Sequence, residues 1–374
     1  MGSLALICSA LVATAALAVV NEVTYLEAAE VITKVLGTDF NETGDEEHER
    51  DLDYHDEYKR EMLSKQRAPL VCFVRYEGFG RYGVMRFSVD SIPVEECTHV
   101  IFSYLETDNC TGGFLYPKTG PLSLKEMKNA VASLKQRNPH IKVLYSFGGG
   151  AHVNSMLNRL HNRKDQSKLI CTIDKLVKPD IFDGVNLHLE GPGPSICNGK
   201  HFDRILAFIK RYRFKIMHVD DLLTVQLPAC RPKCDAVLKT KLARYVDYIF
   251  LMTFDYKLDD TKKTKLTSGL YLCEETQYSD VGTMPCLKHW VDAGVPRYKM
   301  VPGIATYSRT YTLDDPNSNG VGAGLLEDYP LGDPGNFTKT EGFMNYVEVG
   351  LLFQRSSLTS VVSMLAASVY LPCN

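Results

Sequence analysis

Apolar runs alternate with stretches of helical spacing along most of the chain, beginning at Leu70. The runs are rich in β-branched and aromatic residues, which is typical of buried strands. We predict strands at Leu70–Val74, Thr98–Tyr104, Ile141–Phe147, Phe182–Glu190, Leu222–Leu227, Val246–Phe254 and Lys299–Ile304. We predict helices at Leu124–Gln136, Val153–Leu176, His201–Arg213 and Leu287–Ala293.

The alternation of strands with helices predicts an α/β fold built on a parallel sheet. Seven strands of this kind favour a (β/α)8 TIM barrel whose eighth strand, in the C-terminal part, is truncated or divergent. An open, doubly wound sheet is the alternative. It is less favoured, because no glycine-rich dinucleotide fingerprint follows the first strand.

The fourth predicted strand, Phe182–Glu190, carries polar residues at alternate positions of an apolar run and ends at a Gly-Pro-Gly-Pro stretch. Because strand side chains alternate between faces, Asn186, His188 and Glu190 share one face and step towards the carboxyl end. Buried polar groups are unfavourable unless they are paired or used, so the row is either a hydrogen-bonded ladder or a site. The carboxyl ends of barrel strands are where chemistry takes place, which favours a site at Glu190.

The first 68 residues differ in composition from the rest. Residues 1–20 are apolar and small, which predicts a secretory signal peptide cleaved near Val20, with a membrane anchor as the alternative. Residues 21–68 include a dense acidic run, which predicts a disordered linker or a pro-segment processed at Lys59-Arg60. The barrel domain then spans 69–374, and we expect a secreted, extracellular protein without a membrane segment after cleavage.

Cysteines and glycosylation sequons agree with secretion. Ten of the 11 cysteines lie beyond the signal segment, and an even number in a secreted chain suggests disulfides. We predict glycosylation at Asn109 and Asn336, and a third sequon begins at Asn41. Cys230 and Cys234 lack a second paired motif, so no metal site is expected. No cofactor is expected either, and a net charge of −3 gives no reason to expect a nucleic-acid partner.

Six motifs, in order, resemble those of glycoside hydrolase family 18, the chitinases and chitinase-like lectins. They are Val71–Tyr76, Cys97–Phe102, Ser146–Gly149, Phe182–Glu190, Met252–Tyr256 and Gly303–Arg309. Residues 312–350 resemble the start of a small α+β insertion that many members carry after the seventh strand. The resemblance implies a Cys72–Cys97 disulfide. It also implies chitin, or an oligosaccharide containing N-acetylglucosamine, as the partner.

The resemblance assigns the general acid to Glu190. In the family, this glutamate protonates the leaving oxygen while the acetamide of the substrate attacks the anomeric carbon. The middle aspartate, which holds the acetamide, is His188 here; the deeper aspartate is Asn186, and the sixth-strand tyrosine is Phe254. A neutral imidazole brings no negative charge, so we expect impaired hydrolysis. Without a neighbouring carboxylate, we also expect the pKa of Glu190 to be lower than in an active member.

The same resemblance implies a set of residues that contact the substrate. They are Tyr76, Asp183, Asn186, His188, Met252, Asp255, Tyr256 and Arg309. Chitin-binding clefts stack sugars on tryptophan, but the chain has a single Trp, Trp290, in a predicted helix where packing explains it more simply. We therefore expect any aromatic cleft to be built differently, from Tyr and Phe.

Three interpretations remain open at the level of the sequence. We favour a secreted, monomeric chitinase-like protein that binds carbohydrate weakly without useful catalysis. The alternative is an active chitinase or N-acetylglucosaminidase that uses Glu190 as general acid in a substrate-assisted, retaining mechanism. The third is a structural or non-functional truncation product, because residues 347–374 are few for the remaining helix and strand.

Overall fold

The computed structural model describes residues 69–107, 114–115, 122, 124–150, 152–160, 162–177, 182–190, 199–215, 221–230, 236–256, 262–271 and 281–355. The predicted signal peptide, the acidic segment, Asn109 and the C-terminal tail lie outside these residues. The chain divides into two compact units. The larger contains 69–251 and 290–301, and the smaller contains 252–289 and 302–355. Among the described residues, no helix has the length and apolar character needed to cross a bilayer.

The secondary structure follows the predicted alternation. The strands are β1 (Val71–Arg75), β2 (His99–Thr107), β3 (Phe114–Leu115), β4 (Lys142–Gly148), β5 (Gly184–His188), β6 (Leu222–Pro228), β7 (Tyr248–Met252), β8 (Met300–Pro302), β9 (Tyr307–Arg309) and β10 (Phe343–Asn345). The helices are α1 (Leu124–Arg137), α2 (His152–Arg159), α3 (Arg163–Val177), α4 (Gly199–Lys215), α5 (Ala236–Ala243), α6 (Thr283–Asp292) and α7 (Tyr346–Arg355). All seven predicted strands are confirmed, although several are shorter than expected.

One predicted helix, Val153–Leu176, is divided into α2 and α3. Asn162 causes the restart, since its Oδ1 accepts a hydrogen bond from the backbone N–H of Asp165 at 2.9 Å. A side-chain oxygen that satisfies a free N–H of the first turn is the usual N-cap of a helix. Helical periodicity continues across the break, which is why the sequence predicts one helix there.

The larger unit is built on one sheet with strand order β1-β2-β4-β5-β6-β7-β8. The pairs β1–β2, β2–β4, β4–β5 and β5–β6 are parallel, and β3 adds an antiparallel pair to β2. Sequential strands that neighbour each other in parallel are the order of a (β/α) barrel. A buried apolar cluster packs against this sheet. It contains Ile101 of β2, Leu144 of β4, and Tyr248 and Phe250 of β7.

Aspartates that precede β5 and β7 fasten the amino ends of those strands. Asp183 accepts a hydrogen bond from the N–H of Val143, and Asp247 accepts one from the N–H of Leu223, each at 2.8 Å. Asp247 is also held by both terminal nitrogens of Arg213, at 3.0 and 3.2 Å. Each carboxylate thereby joins its strand to the preceding one in the sheet.

Two glycines allow strands to approach more closely than a side chain permits. Gly148 ends β4 with φ +86°, and a Cβ there would lie 2.4 Å from the carbonyl oxygen of His188. Gly184 begins β5 with φ +155°, and its Cβ would lie 2.0 Å from the carbonyl oxygen of Leu222. Neither position accepts a larger residue, which is the physical basis of these glycines in the motifs around β4 and β5.

Disulfide pairing is confirmed where the resemblance implies it. Cys72 of β1 and Cys97, just before β2, form a disulfide with a Cα–Cα distance of 5.9 Å. However, not every cysteine forms a disulfide. Cys171 on α3 is a free, exposed thiol.

The smaller unit contains an antiparallel pair, β9–β10, followed directly by α7. The start of α7 is a capping box: Asn345 Oδ1 accepts from the N–H groups of Val347 and Glu348, and Glu348 Oε2 accepts from the N–H of Asn345. Residues 312–350, predicted as part of an α+β insertion, contain β10 and the first half of α7, and the bounds of the insertion stay a prediction. The partner strand β9 precedes the predicted boundary.

We predict that replacing Gly148 destabilises the protein far more than replacing Gly150, two residues later. Gly150 also has positive φ (+50°), but a Cβ there meets nothing within 4 Å. Gly150→Ala should therefore lower the free energy of unfolding by about 1 kcal/mol, the conformational cost alone. Gly148→Ala adds a backbone clash and should lower it by about 3 kcal/mol or more. Urea unfolding of both variants measures the difference, and equal midpoints would contradict the close approach of β4 and β5.

Candidate functional site

A layer of polar side chains crosses the sheet above the apolar cluster. Strand register aligns Ser103 of β2 with Ser146 of β4, Ser146 with Asn186 of β5, and Asn186 with Thr224 of β6. All four residues are buried. Residues aligned across adjacent strands face the same side of the sheet, so the four neighbouring strands each contribute one polar group to this layer.

Asn186 is the centre of that layer. Its Nδ2 donates to Ser146 Oγ at 2.8 Å, and its Oδ1 accepts from Thr224 Oγ1 at 2.9 Å. A longer bond of 3.4 Å joins Nδ2 to Oε1 of Gln226. The hydrogen-bonded ladder considered from the sequence is therefore present at Asn186. Both ends of this carboxamide are already engaged by protein, as a fully buried amide requires.

His188 lies one layer further towards the carboxyl end of β5, aligned with Gly148 on one side and Gln226 on the other. Its side chain is 4% exposed. Burial disfavours the charged imidazolium and lowers the pKa of His188 from 6.5 to about 4. The ring is consequently neutral at physiological pH.

Glu190 follows the end of β5 and is partly exposed. The backbone leading to it is fixed, because the N–H of Leu189 donates to the carbonyl oxygen of Gln226 at 3.0 Å. The N–H of Gly149 likewise donates to the carbonyl oxygen of His188 at 3.0 Å. Glu190 thus stands at the carboxyl end of β5, the end that the sequence predicts for a catalytic carboxylate.

Besides Asn186, two further predicted substrate contacts in the larger unit are engaged by the protein itself. Asp183 precedes β5 at its amino end and pairs with the ammonium groups of Lys135 at 3.0 Å and Lys142 at 3.6 Å. The hydroxyl of Tyr76 donates to the carbonyl oxygen of Leu122 and accepts from its N–H. These contacts favour structural roles, and a substrate role for either residue stays a prediction.

The smaller unit contains a second polar cluster, centred on Asp255. Its carboxylate accepts from Arg309 Nε at 2.9 Å, from Arg309 Nη2 at 2.6 Å and from the hydroxyl of Tyr307 at 2.5 Å. The guanidinium also lies over the rings of Tyr307 and Phe343, at 5.4 and 5.5 Å. Burial, together with the bond to Asp255, raises the pKa of Tyr307, so its phenol stays protonated and donates.

Asp255, the centre of this cluster, lies in a strained loop that follows β7. Asp255 has φ +57°, a left-handed conformation that is uncommon outside glycine. Tyr256, the next residue of the loop, is tied to two other segments. Its N–H donates to the carbonyl oxygen of Thr267, and its hydroxyl lies 3.0 Å from Thr283 Oγ1. Met252, the last residue of β7, is partly exposed. Asp255 and Arg309 are thus brought together with Tyr307, whereas the Tyr256 hydroxyl is paired elsewhere.

Two polar residues of β6, Thr224 and Gln226, are absent from the predicted site residues. Both lie on β6 at alternate positions of an apolar run, the same pattern that singles out β5. The pattern is therefore visible in the sequence. It is only the register of β6 against β5 that shows the two residues facing Asn186 and His188.

Trp290, the single tryptophan, is 2% exposed. Its indole N–H donates to the carbonyl oxygen of Ala229 at 2.9 Å. The interpretation of this residue as a packing residue is confirmed. It offers no face to a sugar ring.

The family model described as "Glycosyl hydrolases family 18" matches residues 70–371. The match covers the motifs around β1, β2, β4, β5 and β7, and it continues into the C-terminal tail.

Two curated relatives and one solved structure are similar over three quarters of the chain. The chain is 27% identical to Endochitinase of Manduca sexta over 77% of its own length and 54% of that protein. It is 27% identical to Chitotriosidase-1 of Mus musculus over 75% of its own length and 61% of that protein. The Group IV chitinase of Ostrinia furnacalis, also solved with allosamidin, is 25% identical, with a TM-score of 0.68 over 78% of this chain and 80% of that one. The chain thus spans just over half the length of the curated relatives.

We predict that His188 makes the protein less stable in acid. Its pKa is lowered in the folded state, so the unfolded state takes up a proton first, and stability falls as the pH decreases from about 6.5 towards 4. The effect of this single group is about 2–3 kcal/mol between pH 7 and pH 4. His188→Gln should lose correspondingly less stability over that range.

Urea unfolding at pH 7, 6, 5 and 4 measures this difference. His140→Asn, at an exposed histidine, is the matched control and should retain the slope of the wild type. If the His188→Gln protein follows the wild-type curve, His188 is not buried in its neutral form.

Proposed function

The chain belongs to glycosyl hydrolase family 18, and we propose that it is a secreted chitinase-like protein that binds chitin or N-acetylglucosamine oligosaccharides with little or no hydrolysis. The observation that carries this proposal is the state of His188. The residue stands where the family motif has the carboxylate beside the general acid, and it is buried and neutral. A site that binds the sugar but does not stabilise the reaction is the function that this arrangement supports.

The reaction of the family develops positive charge on the acetamide of the substrate as it attacks the anomeric carbon. A carboxylate beneath the acetamide stabilises that charge, and the loss of such a contact typically reduces the rate by about two to three orders of magnitude. The neutral imidazole of His188 supplies no compensating charge. Its protonated form, which predominates only in acid, would repel the intermediate.

The other changed motif positions do not supply the missing charge. Asn186 is uncharged, and both ends of its carboxamide are engaged by Ser146 and Thr224. Phe254 stands where the motif has a tyrosine and has no hydroxyl to donate. Because these changes affect contacts that act on the same group, their effects on the rate are not additive, yet together they favour negligible turnover.

Binding has separate support. Glu190 is partly exposed at the carboxyl end of β5 and can accept a hydrogen bond from a sugar hydroxyl. Secretion is supported by the Cys72–Cys97 disulfide, which is typical of an oxidising compartment. We propose a monomer for the secreted form.

A hydrolase that uses Glu190 is the second candidate. The observation in its favour is that the proton donor is retained at the carboxyl end of its strand. In this case His188 would have to position the acetamide through a neutral hydrogen bond. Such an enzyme would act slowly, or on a different amino sugar whose reaction needs less charge stabilisation.

We predict that the wild-type protein binds N-acetylglucosamine oligosaccharides but turns them over no faster than Glu190→Gln. Calorimetry measures the binding, and release of reducing ends measures the turnover. Turnover that disappears in Glu190→Gln would overturn the lectin-like proposal in favour of the hydrolase. The absence of both binding and turnover would contradict both candidates.

We further predict that the double variant His188→Asp with Phe254→Tyr gains turnover by about two orders of magnitude or more over the wild type. The matched control is His188→Asn with Phe254→Tyr, which restores the hydroxyl without the charge and should remain near the wild-type rate. Equal rates for the two double variants would show that the charge at position 188 is not what limits hydrolysis.

A further inference from the structure

A surface turn of the smaller unit contains the sequon Asn336-Phe337-Thr338. Asn336 is exposed, and the ring of Phe337 is 44% exposed. The carboxamide that would carry a glycan therefore faces solvent. An attached oligosaccharide would not displace any buried group at Asn336 itself.

The third residue of the sequon is in a different situation. The hydroxyl of Thr338 donates to the carbonyl oxygen of Phe343 at 3.2 Å and lies 3.3 Å from Glu348 Oε1. The backbone N–H of Thr338 donates to the same Glu348 oxygen at 2.9 Å, and the N–H of Phe337 donates to it at 2.7 Å. Two of the three sequon residues are thus fixed by one carboxylate.

Glu348 is a rigid partner in this arrangement. Its side chain is 5% exposed and lies against Gly335, where a Cβ would come within 2.3 Å of Oε1. Burial by itself would raise the pKa of Glu348, but hydrogen bonds from Thr338, Phe337 and Asn345 outweigh it and lower the pKa. The carboxylate is therefore charged at neutral pH, and its hydrogen bonds to the sequon are charge-assisted. We call this contact of Glu348 with residues 337 and 338 the Glu348 anchor.

We propose that Asn336 is an N-glycosylation site that accepts its oligosaccharide only before the Glu348 anchor has formed. The hydroxyl of the third sequon residue is what a glycosyltransferase recognises in the acceptor, and in the folded protein the Thr338 hydroxyl is engaged at Phe343. The sequon also forms a turn, and its hydrogen bonds to Glu348 would have to break before the segment could extend into an active site. This inference rests on the proposed secretion, since only a chain entering that route meets the transferase.

The chemistry is a single group transfer. The donor is an oligosaccharide linked through a pyrophosphate to a polyisoprenyl lipid. The carboxamide nitrogen of Asn336 forms a bond to the anomeric carbon and loses one proton, and the bond from that carbon to the pyrophosphate breaks. The lipid pyrophosphate leaves with the electron pair. Thr338 takes no covalent part, and its free hydroxyl is needed only for recognition.

The test uses the full chain produced without glycans and an oligosaccharyltransferase with its lipid-linked donor. Native protein and protein unfolded by reduction are presented in parallel, and mass spectrometry follows occupancy at Asn336. We expect the native wild type to be modified at least tenfold more slowly than the unfolded chain. Because no secretion is involved, this assay can fail or succeed independently of the proposed function.

Two variants test the role of the anchor. Glu348→Gln removes the charge that strengthens the anchor and replaces one of the two acceptor oxygens by an N–H donor, so it should speed modification of the native protein about tenfold or more. Glu341→Gln, at an exposed glutamate nearby, is the matched control and should leave the native rate unchanged. If Glu348→Gln does not fold, the comparison of native and unfolded wild type decides alone.

Three results would overturn the proposal. They are a native wild-type protein modified as fast as the unfolded chain, an unfolded chain that is not modified at Asn336 while a control peptide is, and a folded Glu348→Gln protein no faster than the wild type. The first and third results would contradict the claim that modification precedes formation of the anchor. The second would contradict the assignment of Asn336 as a glycosylation site.

Discussion

The buried carboxamide of Asn186 holds three strands of the sheet in one register. It lies on β5, donates to Ser146 of β4 and accepts from Thr224 of β6. A buried amide without partners would be unfavourable by several kcal/mol, on the order of the desolvation penalty of its polar atoms. A slip of one residue would turn the amide to the opposite face of the sheet and lose both bonds. The position of every group at the carboxyl end of β5 depends on this register.

The same register decides the electrostatics of the site. The layer around Asn186 consists of hydroxyls and amides, and the next residue on that face, His188, is neutral because it is buried. Between Gly184 and Glu190 the only carboxylate is that of Glu190 itself. The strand therefore presents a single acid, at its carboxyl end. This composition is the basis of the proposed function, the recognition of a neutral, hydroxyl-rich ligand.

Several other carboxylates, two of them in the motifs, are bound by groups of the protein itself. Asp183 and Asp247 fasten the amino ends of strands, Asp255 is bound by Arg309 and Tyr307, and Glu348 holds a surface turn. Each accepts charge-assisted hydrogen bonds from N–H or O–H donors of the protein. An acidic residue in a family motif is thus no sign of chemistry unless its oxygen atoms remain available to a substrate.

The sequence by itself determined the order of the strands and helices, because hydrophobic periodicity is local. It also determined that no aspartate stands at positions 186 and 188, and it located Glu190 at the carboxyl end of the fourth predicted strand. The glycines of the β4 and β5 motifs could be recognised as well, although not the carbonyl oxygens that exclude a side chain there.

Only the tertiary structure decided which groups meet. It placed Asp183 at the amino end of β5, bound the hydroxyl of Tyr76 to Leu122, and brought Thr224 and Gln226 beside Asn186. The physical reason is that a period of two fixes the face of each side chain along one strand. The register between strands is set by contacts between residues some forty positions apart, such as Ser146 with Asn186. Local pattern contains no information about that pairing, so the composition of the site had to come from the fold.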